Sequence, residues 1–567
     1  MKKLLSLWLC ILMVLSVAVM VPLSVSAVVS DNALTSANKV WGDFEYRVLS
    51  DGTAQIMKYK GSAENVVIPS KFDGVSVTSL WMDSFKGGQF KTVTIPNTIK
   101  TIGSYAFTGC NNITEITIPD SVVTIERNAF WCCENLKTVV IGNGVETIGM
   151  DAFADCKNLK NVTFGNKLKT LGDRVFNYCY AVRTVVLPDS LESIGTSAFS
   201  NCDYLTKLTL NKNLKSIGSS AFYNCDRLEE VVIPDSVEYL GYDAFQSCPK
   251  LATVKIGKGL KEIGDSAFGY CRALTSVDLC NVETIGVNAF RECESLETIE
   301  IPNTVTIIKN NAFTGCANLK EIEIPDSVVE LWGGVFESCG NLETVKIGNN
   351  VKSIGGYTFI YCGKLKDITI GESVESIGEQ AFAYCDSLKK LDIPDSVVSV
   401  GTWCCVGSHS IEEIILGNSL RTIGSQAFQV SKIKEIVLPE SMEYVDGYCF
   451  SDCSELEKVI VLSPDCMICD ISGTIPENTV IYGYEDSYAQ IFADDFNRKF
   501  VPIEFGDIDV DGTLSVMDAT AIQLHLAQIQ NINRNLLKLG DTDDDGKTSV
   551  VDATRIQLFI AQLIPEL

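Results

Sequence analysis

From Phe85 onward the chain repeats itself every 23 residues, occasionally 22, and no other feature constrains its fold so tightly. The anchors stand at Phe85, Phe107, Phe130, Phe153, Phe176, Phe199, Phe222, Phe245, Phe268, Phe290, Phe313, Phe336, Phe359, Phe382, Phe428 and Phe450, with Cys405 in the same slot, making 17 units. One unit, read from Leu136, carries apolar residues at Val139, Ile141, Val145, Ile148, Ala152, Phe153 and Cys156 before Leu159 restarts the pattern. So short a unit cannot bury these side chains alone, whereas stacked units cover one another, so the fold class is a repeat solenoid. Residues 136–141 read as a strand with Val139 and Ile141 on one face, usually followed by Pro or Gly, as at Pro119, Gly142, Pro188 and Pro234. Proline has no amide for a ladder, so neighbouring strands end together. A second extended piece, residues 145–148, leads through Gly149 into a short helical or 3₁₀ turn carrying Ala152 and Phe153. At ~4.8 Å per rung the array is roughly 75–80 Å long.

The motif set, Ile118-Pro119-Asp120-Ser121 at the strand end and Ile148-Gly149, Ala152-Phe153, Cys156 and Leu159 through the turn, resembles the BspA-like leucine-rich repeats. The resemblance implies a solenoid over residues 85–465, a strand-rich N-terminal cap over 28–84, and a C-terminal cap with a short linker over 466–505. Open solenoid ends would leave an apolar face and a strand edge bare, which is why caps are expected.

Residues 1–27 have the pattern of an export signal: Lys2 and Lys3, an apolar run, then small residues at Val25 and Ala27. No later apolar stretch is of membrane length, so the mature chain is expected to be secreted, without a membrane span. With 46 Lys plus Arg against 72 Asp plus Glu the formal charge is −26. Such a polyanion repels phosphate backbones and anionic lipid, which argues against nucleic acid and for a cation. The two histidines, His409 and His525, leave little room for a histidine-based triad or a multi-histidine metal site.

Of 22 cysteines, 14 occupy one slot three residues after the anchor, from Cys110 and Cys133 to Cys385 and Cys453, and Gly88, Ser408 and Ser431 fill it elsewhere. Rung spacing would hold their β-carbons too far apart for disulfides, so the slot reads as a ladder of buried, reduced thiols. A serine there is expected to strand a hydroxyl in an apolar site, at a cost of about 1–3 kcal/mol. Cys466 and Cys469 form a C-x-x-C without the second pair or histidine that zinc needs.

The C-terminal stretch carries the strongest chemical signal. Asp507, Asp509, Asp511, Gly512, Thr513, Ser515 and Asp518 occupy positions 1, 3, 5, 6, 7, 9 and 12 of a calcium-loop template. Asp541, Asp543, Asp545, Gly546, Lys547, Ser549 and Asp552 repeat the pattern 34 residues later. Hard Ca²⁺ takes six to eight oxygens, and alternating acids around a sharp glycine turn supply them, with a backbone carbonyl at position 7. Two Ca²⁺ ions are therefore expected. Each loop runs into one helix, with Ile522, Leu526 and Ile529, then Ile556, Ile560 and Leu563, at i, i+4, i+7 as its inner stripe. Residues 507–529 and 541–563 are identical at 14 of 23 positions, and residues 506–567 resemble a type I dockerin, a small all-α calcium-binding module. That resemblance implies cellulosome association, with a cohesin module of a scaffoldin as partner. Its contact positions here are Val516, Met517, Gln523, Leu524 and Gln528, and in the duplicate Val550, Val551, Gln557, Leu558 and Gln562. Val-Met and Val-Val replace the usual small or hydroxylated pair, and Leu524 and Leu558 have a second reading, packing inside the module.

The outward column of the strands, Thr94, Thr117, Val140, Thr163, Val186, Thr209, Val232, Lys255, Asp278, Glu300, Glu323, Lys346, Thr369, Asp392, Ile415, Val437 and Ile460, holds no aromatic residue on which a sugar could stack. Tyrosines gather near the phenylalanine turn instead, at Tyr178, Tyr270, Tyr361 and Tyr384. Asp278, Glu300 and Glu323 are the only row with a carboxylate geometry open to glycoside hydrolysis, and flanking Lys255 and Lys346 favour a solvated charge ladder. No catalytic residue is assigned. The expectation is a secreted, non-catalytic scaffold-bound protein whose solenoid binds a protein or glycoprotein; the alternative is a carbohydrate-active component of the same complex.

Overall fold

Alternation at Thr138, Val139, Val140 and Ile141 puts Val139 and Ile141 inward and Val140 outward, and the computed structural model, which describes residues 37–567, forms a strand there. The export signal expected over 1–27 lies outside the described residues. Residues Thr138–Ile141 pair in parallel with Glu115–Ile118 on one side and Asn161–Thr163 on the other, in register at one unit per rung. The ladder is not continuous: it falls into sheets of two to four strands, and residues 298–301 form no strand. The second piece is shorter and more regular. Two-residue strands run from Thr101–Ile102 to Tyr239–Leu240, and again from Glu262–Ile263 to Met467–Ile468, each paired in parallel with its neighbours. At the N-terminal end, Lys39–Trp41, Phe44–Val48 and Ala54–Tyr59 form an antiparallel sheet, and Ala54–Tyr59 then pairs in parallel with Val75–Leu80, which leads into the repeats.

The expected helical turn is absent. Residues on either side of each anchor take left-handed backbone, such as Asp151 (φ 55°) and Asp155 (φ 58°) around Phe153, and a helix needs an unbroken right-handed run. Alternating handedness lets every second N–H reach the next rung. Asp151, Phe153 and Asp155 donate to the carbonyls of Asp173, Val175 and Asn177 at 2.8–2.9 Å, while Ala154 turns back to Asp151. The turns are thus a third inter-rung ladder without strand geometry. Between the second strand and this turn, glycine is needed for space: a Cβ on Gly195 would sit 2.5 Å from the backbone of Gly172 below it.

The core is a set of columns. Anchor phenylalanines stack in near-parallel pairs, 5.0 Å apart at Phe130–Phe153 and 5.6 Å at Phe336–Phe359. Beside them the slot cysteines are buried free thiols. The slot is not apolar, however, which corrects the serine expectation. Each Sγ donates to a phenylalanine carbonyl of the rung before, as Cys156 does to Phe130 (3.3 Å), and Ser408 makes the same bond to Phe382 at 2.7 Å. Burial raises thiols of this slot such as Cys179, Cys293 and Cys362 above their ordinary range, Cys362 up to about 12.

At the C-terminal end the strands Glu435–Leu438, Lys458–Val461, Val480–Gly483 and Phe500–Pro502 pair in parallel, and helix α1 (Tyr488–Asp495) crosses between the last two. Two further helices follow, α2 (Val516–Leu526) and α3 (Val550–Ile560), which pack on each other. Among the described residues no helix is long and apolar enough to cross a membrane.

Candidate functional site

Each acidic loop ends in the N-cap of a helix. Ser515 accepts from the Met517 N–H while Asp518 accepts from the Ser515 N–H, and Ser549, Val551 and Asp552 repeat this box at α3. The same aspartates tie the loops down: Asp518 Oδ1 also accepts from Ile508 (2.9 Å), and Asp552 Oδ1 from Thr542 (2.7 Å). Asp507 accepts from the N–H groups of Asp511 and Gly512, and Asp541 from those of Asp545 and Gly546, so both loops curl around their first aspartate.

This curl converges carboxylates. Ligand oxygens of Asp507, Asp509 and Asp511 lie within 4.8 Å of one another, as do those of Asp541, Asp543 and Asp552. Asp507 is fully buried, and burial, with Asp518 beside it, pushes its carboxyl up to about 6. Asp509 is raised too, by burial and by Asp518 and Asp511. In the second loop Asp543 is raised by desolvation and by Asp545 and Asp552. Burial works in the same direction on Asp552, but bonds from Ser549, Asp543 and Thr542 outweigh it and hold it below the usual range. Clustered carboxylates whose charge is disfavoured fit a hard divalent cation: the donors are all oxygen, and an ion would supply the missing countercharge. Thr513 and Lys547 stand where a main-chain carbonyl is required, and Asp545 accepts from the Lys547 N–H, leaving the carbonyl unused by that bond.

The duplicates are not equivalent in their surroundings. Gly512 (φ 87°) lies where a Cβ would meet Val501 at 2.7 Å, whereas nothing lies within 4 Å of the corresponding point at Gly546 (φ 86°). The first loop presses on the last solenoid strand and the second faces solvent.

Of the recognition positions, Val516, Met517, Val550 and Val551 are all more than half exposed at the helix starts. Gln523, Gln528, Gln557 and Gln562 are exposed as well, and Leu524 and Leu558 are half-buried. The expected inner stripe is only partly inside. Ile522 and Ile556 are buried, but the helices end at Leu526 and Ile560, and left-handed Gln528 and Gln562 turn Ile529 and Leu563 out to solvent. Asp278, Glu300 and Glu323 lie on an open exposed face, where Lys346 pairs with Glu323 at 2.6 Å. Cys466 is buried and Cys469 half-buried.

Two sets of residues escaped the motif reading. Arg534 and Asn535 bond solenoid backbone, and their one signal was an arginine in the unduplicated segment between the two loop–helix copies. The tryptophans Trp81, Trp131, Trp332 and Trp403 stand partly exposed along the phenylalanine-turn side, where the sequence had placed only tyrosines such as Tyr361 and Tyr384.

Comparison with known proteins bears on the repeats. The BspA type leucine rich repeat region matches at residues 78–205, 169–297, 283–404 and 352–468. A leucine-rich repeat protein from Bacteroides ovatus superposes with a TM-score of 0.55 at 23% identity, over 82% of this chain and 100% of that one. A leucine rich cell surface protein from Faecalibacterium prausnitzii is 22% identical over 75% of this chain and 95% of its own, with a TM-score of 0.36. No curated protein matches the chain. The matched repeats span more than half of the sequence, and the chain belongs to the BspA-type leucine-rich repeat family.

Proposed function

We propose that this is a secreted, non-catalytic adaptor: residues 506–567 are a dockerin that binds a cohesin module of a scaffoldin when loaded with two Ca²⁺ ions, and the solenoid carries a protein or glycoprotein ligand. The observation behind the first half is the convergence of three carboxylates around a fully buried aspartate, Asp507 in one loop and Asp552 in the other, beside the outward pairs Val516-Met517 and Val550-Val551, twice in one small module. Asp507, Asp509, Asp511, Asp518 and their counterparts Asp541, Asp543, Asp545, Asp552 would hold the ions, and the ions would fix the starts of α2 and α3. The interaction half of the reading is supported by the family and by the outward strand face, where Thr94, Thr117, Val140 and Thr163 line an open groove of about 680 Å³ suited to side chains of a protein partner. Calorimetric titration of the full chain with Ca²⁺ is expected to give two sites, and a pull-down on a panel of cohesins is expected to require the ion. Asp507→Ala or Asp541→Ala alone should weaken capture less than both together. Absence of calcium binding, or capture insensitive to chelator, would sink the reading.

One observation favours a second reading, polysaccharide binding: the exposed tryptophans and tyrosines of the phenylalanine-turn side offer ring faces near Glu379 and Gln426, which bond Tyr357 and Trp403. Retention of the solenoid on insoluble plant polysaccharide, lost in Trp403→Ala, would promote it.

A further inference from the structure

The outward column changes character along the solenoid. Val140, Val186 and Val232 are 38–57% exposed, yet Val437 and Ile460 in the same column are 1% exposed. What covers them is the C-terminal module. Val437, Ile460 and Leu462 share one apolar cluster with Ile508, Ala521, Ile522, Leu536, Leu539 and Ile556.

Polar contacts pin this packing at its edge. Arg534, between α2 and α3, forms ion pairs with Asp392 (3.0 Å) and Asp395 (3.4 Å) and donates to the carbonyls of Ile393 and Leu416. Buried Asn535 also donates to Leu416, at 2.9 Å. Lys538 lies 3.5 Å from Glu440. The Leu416 carbonyl has a reason to need outside donors. One rung on, the chain reads Leu438-Pro439, and proline has no N–H to give back. Nor is there slack between the two parts. Ile503 bonds Gly483 at 2.9 Å and Gly506 bonds Leu539 at 3.0 Å, so the last strand runs almost directly into the first loop.

We propose that residues 532–539 are a docking segment, with Arg534 as its clamp, and that its receptor is the solenoid's own strand face from Asp392 to Tyr482. The module is then seated on the solenoid as one body and does not swing on a tether. Its pairs Val516-Met517 and Val550-Val551 are exposed, so a partner gripping them holds the solenoid in a fixed attitude. The module also occupies the C-terminal part of the strand face, which leaves the column from Val67 to Thr369 as the part open to another ligand. The inference stands on packing alone and holds whichever cation or partner the module takes.

Hydroxyl-radical footprinting of the full chain in calcium tests it, with circular dichroism recording the helices. Wild type is expected to show Val437, Ile460 and Leu462 labelled several-fold less than Val140 and Val186, and carbodiimide should join Lys538 to Glu440. Arg534→Ala should raise labelling of Val437, Ile460 and Leu462 several-fold and lower the cross-link with helicity kept. The pair Asp392→Asn with Asp395→Asn, on the solenoid side of the clamp, should do the same. Equal labelling of the two ends of the column in wild type would overturn the docking. Wild-type protection in both variants would overturn the clamp.

Discussion

The solenoid and the C-terminal module meet the same problem, holding tight turns with buried polar groups, by opposite means. In the solenoid the buried polar groups of the turns are uncharged and are satisfied by neighbouring rungs: N–H groups such as that of Phe153 reach across, and thiols such as Cys156 donate to carbonyls. The 62 residues from 506 to 567 contain no cysteine and carry 10 acidic against 4 basic side chains, with Asp507, Asp518 and Asp552 fully buried. The solenoid's turns are complete as they stand, whereas the module's gather negative charge that something must balance. Periodicity allows the first solution, because an identical neighbour always lies one rung away; a two-fold duplicate has no such neighbour, and the proposed Ca²⁺ would take that part.

The sharpest way to break this comparison is to perturb each chemistry separately. Chelation at neutral pH is expected to melt α2 and α3 and leave the solenoid intact, because only the module's carboxylates then lose a countercharge. Alkali should do the reverse. Cys179, Cys225, Cys271, Cys293, Cys316 and Cys362 are held above the ordinary thiol range by burial. A thiol raised in the folded state contributes its full stability below the unfolded value of about 8.5 and loses it as pH climbs toward the folded value. At pH 9.5 a thiol still protonated in the fold costs on the order of 1 kcal/mol, and six of them together are comparable to the whole stability of a domain. Far-UV circular dichroism between pH 7 and 10, with and without chelator, separates the two. A solenoid that unfolds on chelation, or that stays fully folded at pH 10, would contradict the contrast.

How much of this was legible follows from the same difference. The period, the inward alternation of Val139 and Ile141, and the slot cysteines could be read because each is repeated and each depends on side-chain type. The left-handed turns could not. The residues at φ near +55° include Tyr105, Asp151, Arg174, Ser197 and Gln380, which share no side-chain signal, since the third ladder needs only their backbone. In the module, the convergence of the loop aspartates was legible because the template they match fixes residue type position by position. The helix ends after Leu526 and Ile560 were not, since Ile529 and Leu563 continue an apolar spacing beyond the last helical turn. Seating of the module on the solenoid was invisible as well: Val437 and Ile460 look no different in sequence from the exposed Val186 and Val232.

A smaller effect sharpens the comparison within the duplicate. Gly512→Ala and Gly546→Ala both force alanine into left-handed backbone, which costs about 1–2 kcal/mol. At Gly546 nothing else changes. At Gly512 the new methyl would also run into Val501, so the Gly512 variant should lose the larger amount and should lift the first loop from the last strand. Urea melts of the calcium-loaded chain followed by the helical signal measure both. Equal losses would mean that the first loop does not press on the solenoid.

The smallest expected effect probes the neutral turn itself. If the cysteine slot were merely apolar, Cys225→Ser would bury an unpaired hydroxyl at a cost of about 1–3 kcal/mol. The Cys225 thiol instead points at the Phe199 carbonyl, 3.5 Å away. Where serine already occupies the slot, at Ser408, its hydroxyl donates to Phe382 at 2.7 Å and accepts from the Cys385 N–H at 2.9 Å. A serine at 225 can make the first of these bonds, and at a shorter distance than sulfur does. Cys225→Ser is therefore expected to stay within about 1 kcal/mol of wild type, while Cys225→Val, which removes the donor to Phe199 and adds a methyl to a full column, should cost about 1–3 kcal/mol. Urea denaturation of the two variants at pH 7 sets them in order. The reverse order, with serine the more damaging, would show that the thiol ladder is held by packing and that its bonds to the phenylalanine carbonyls contribute nothing.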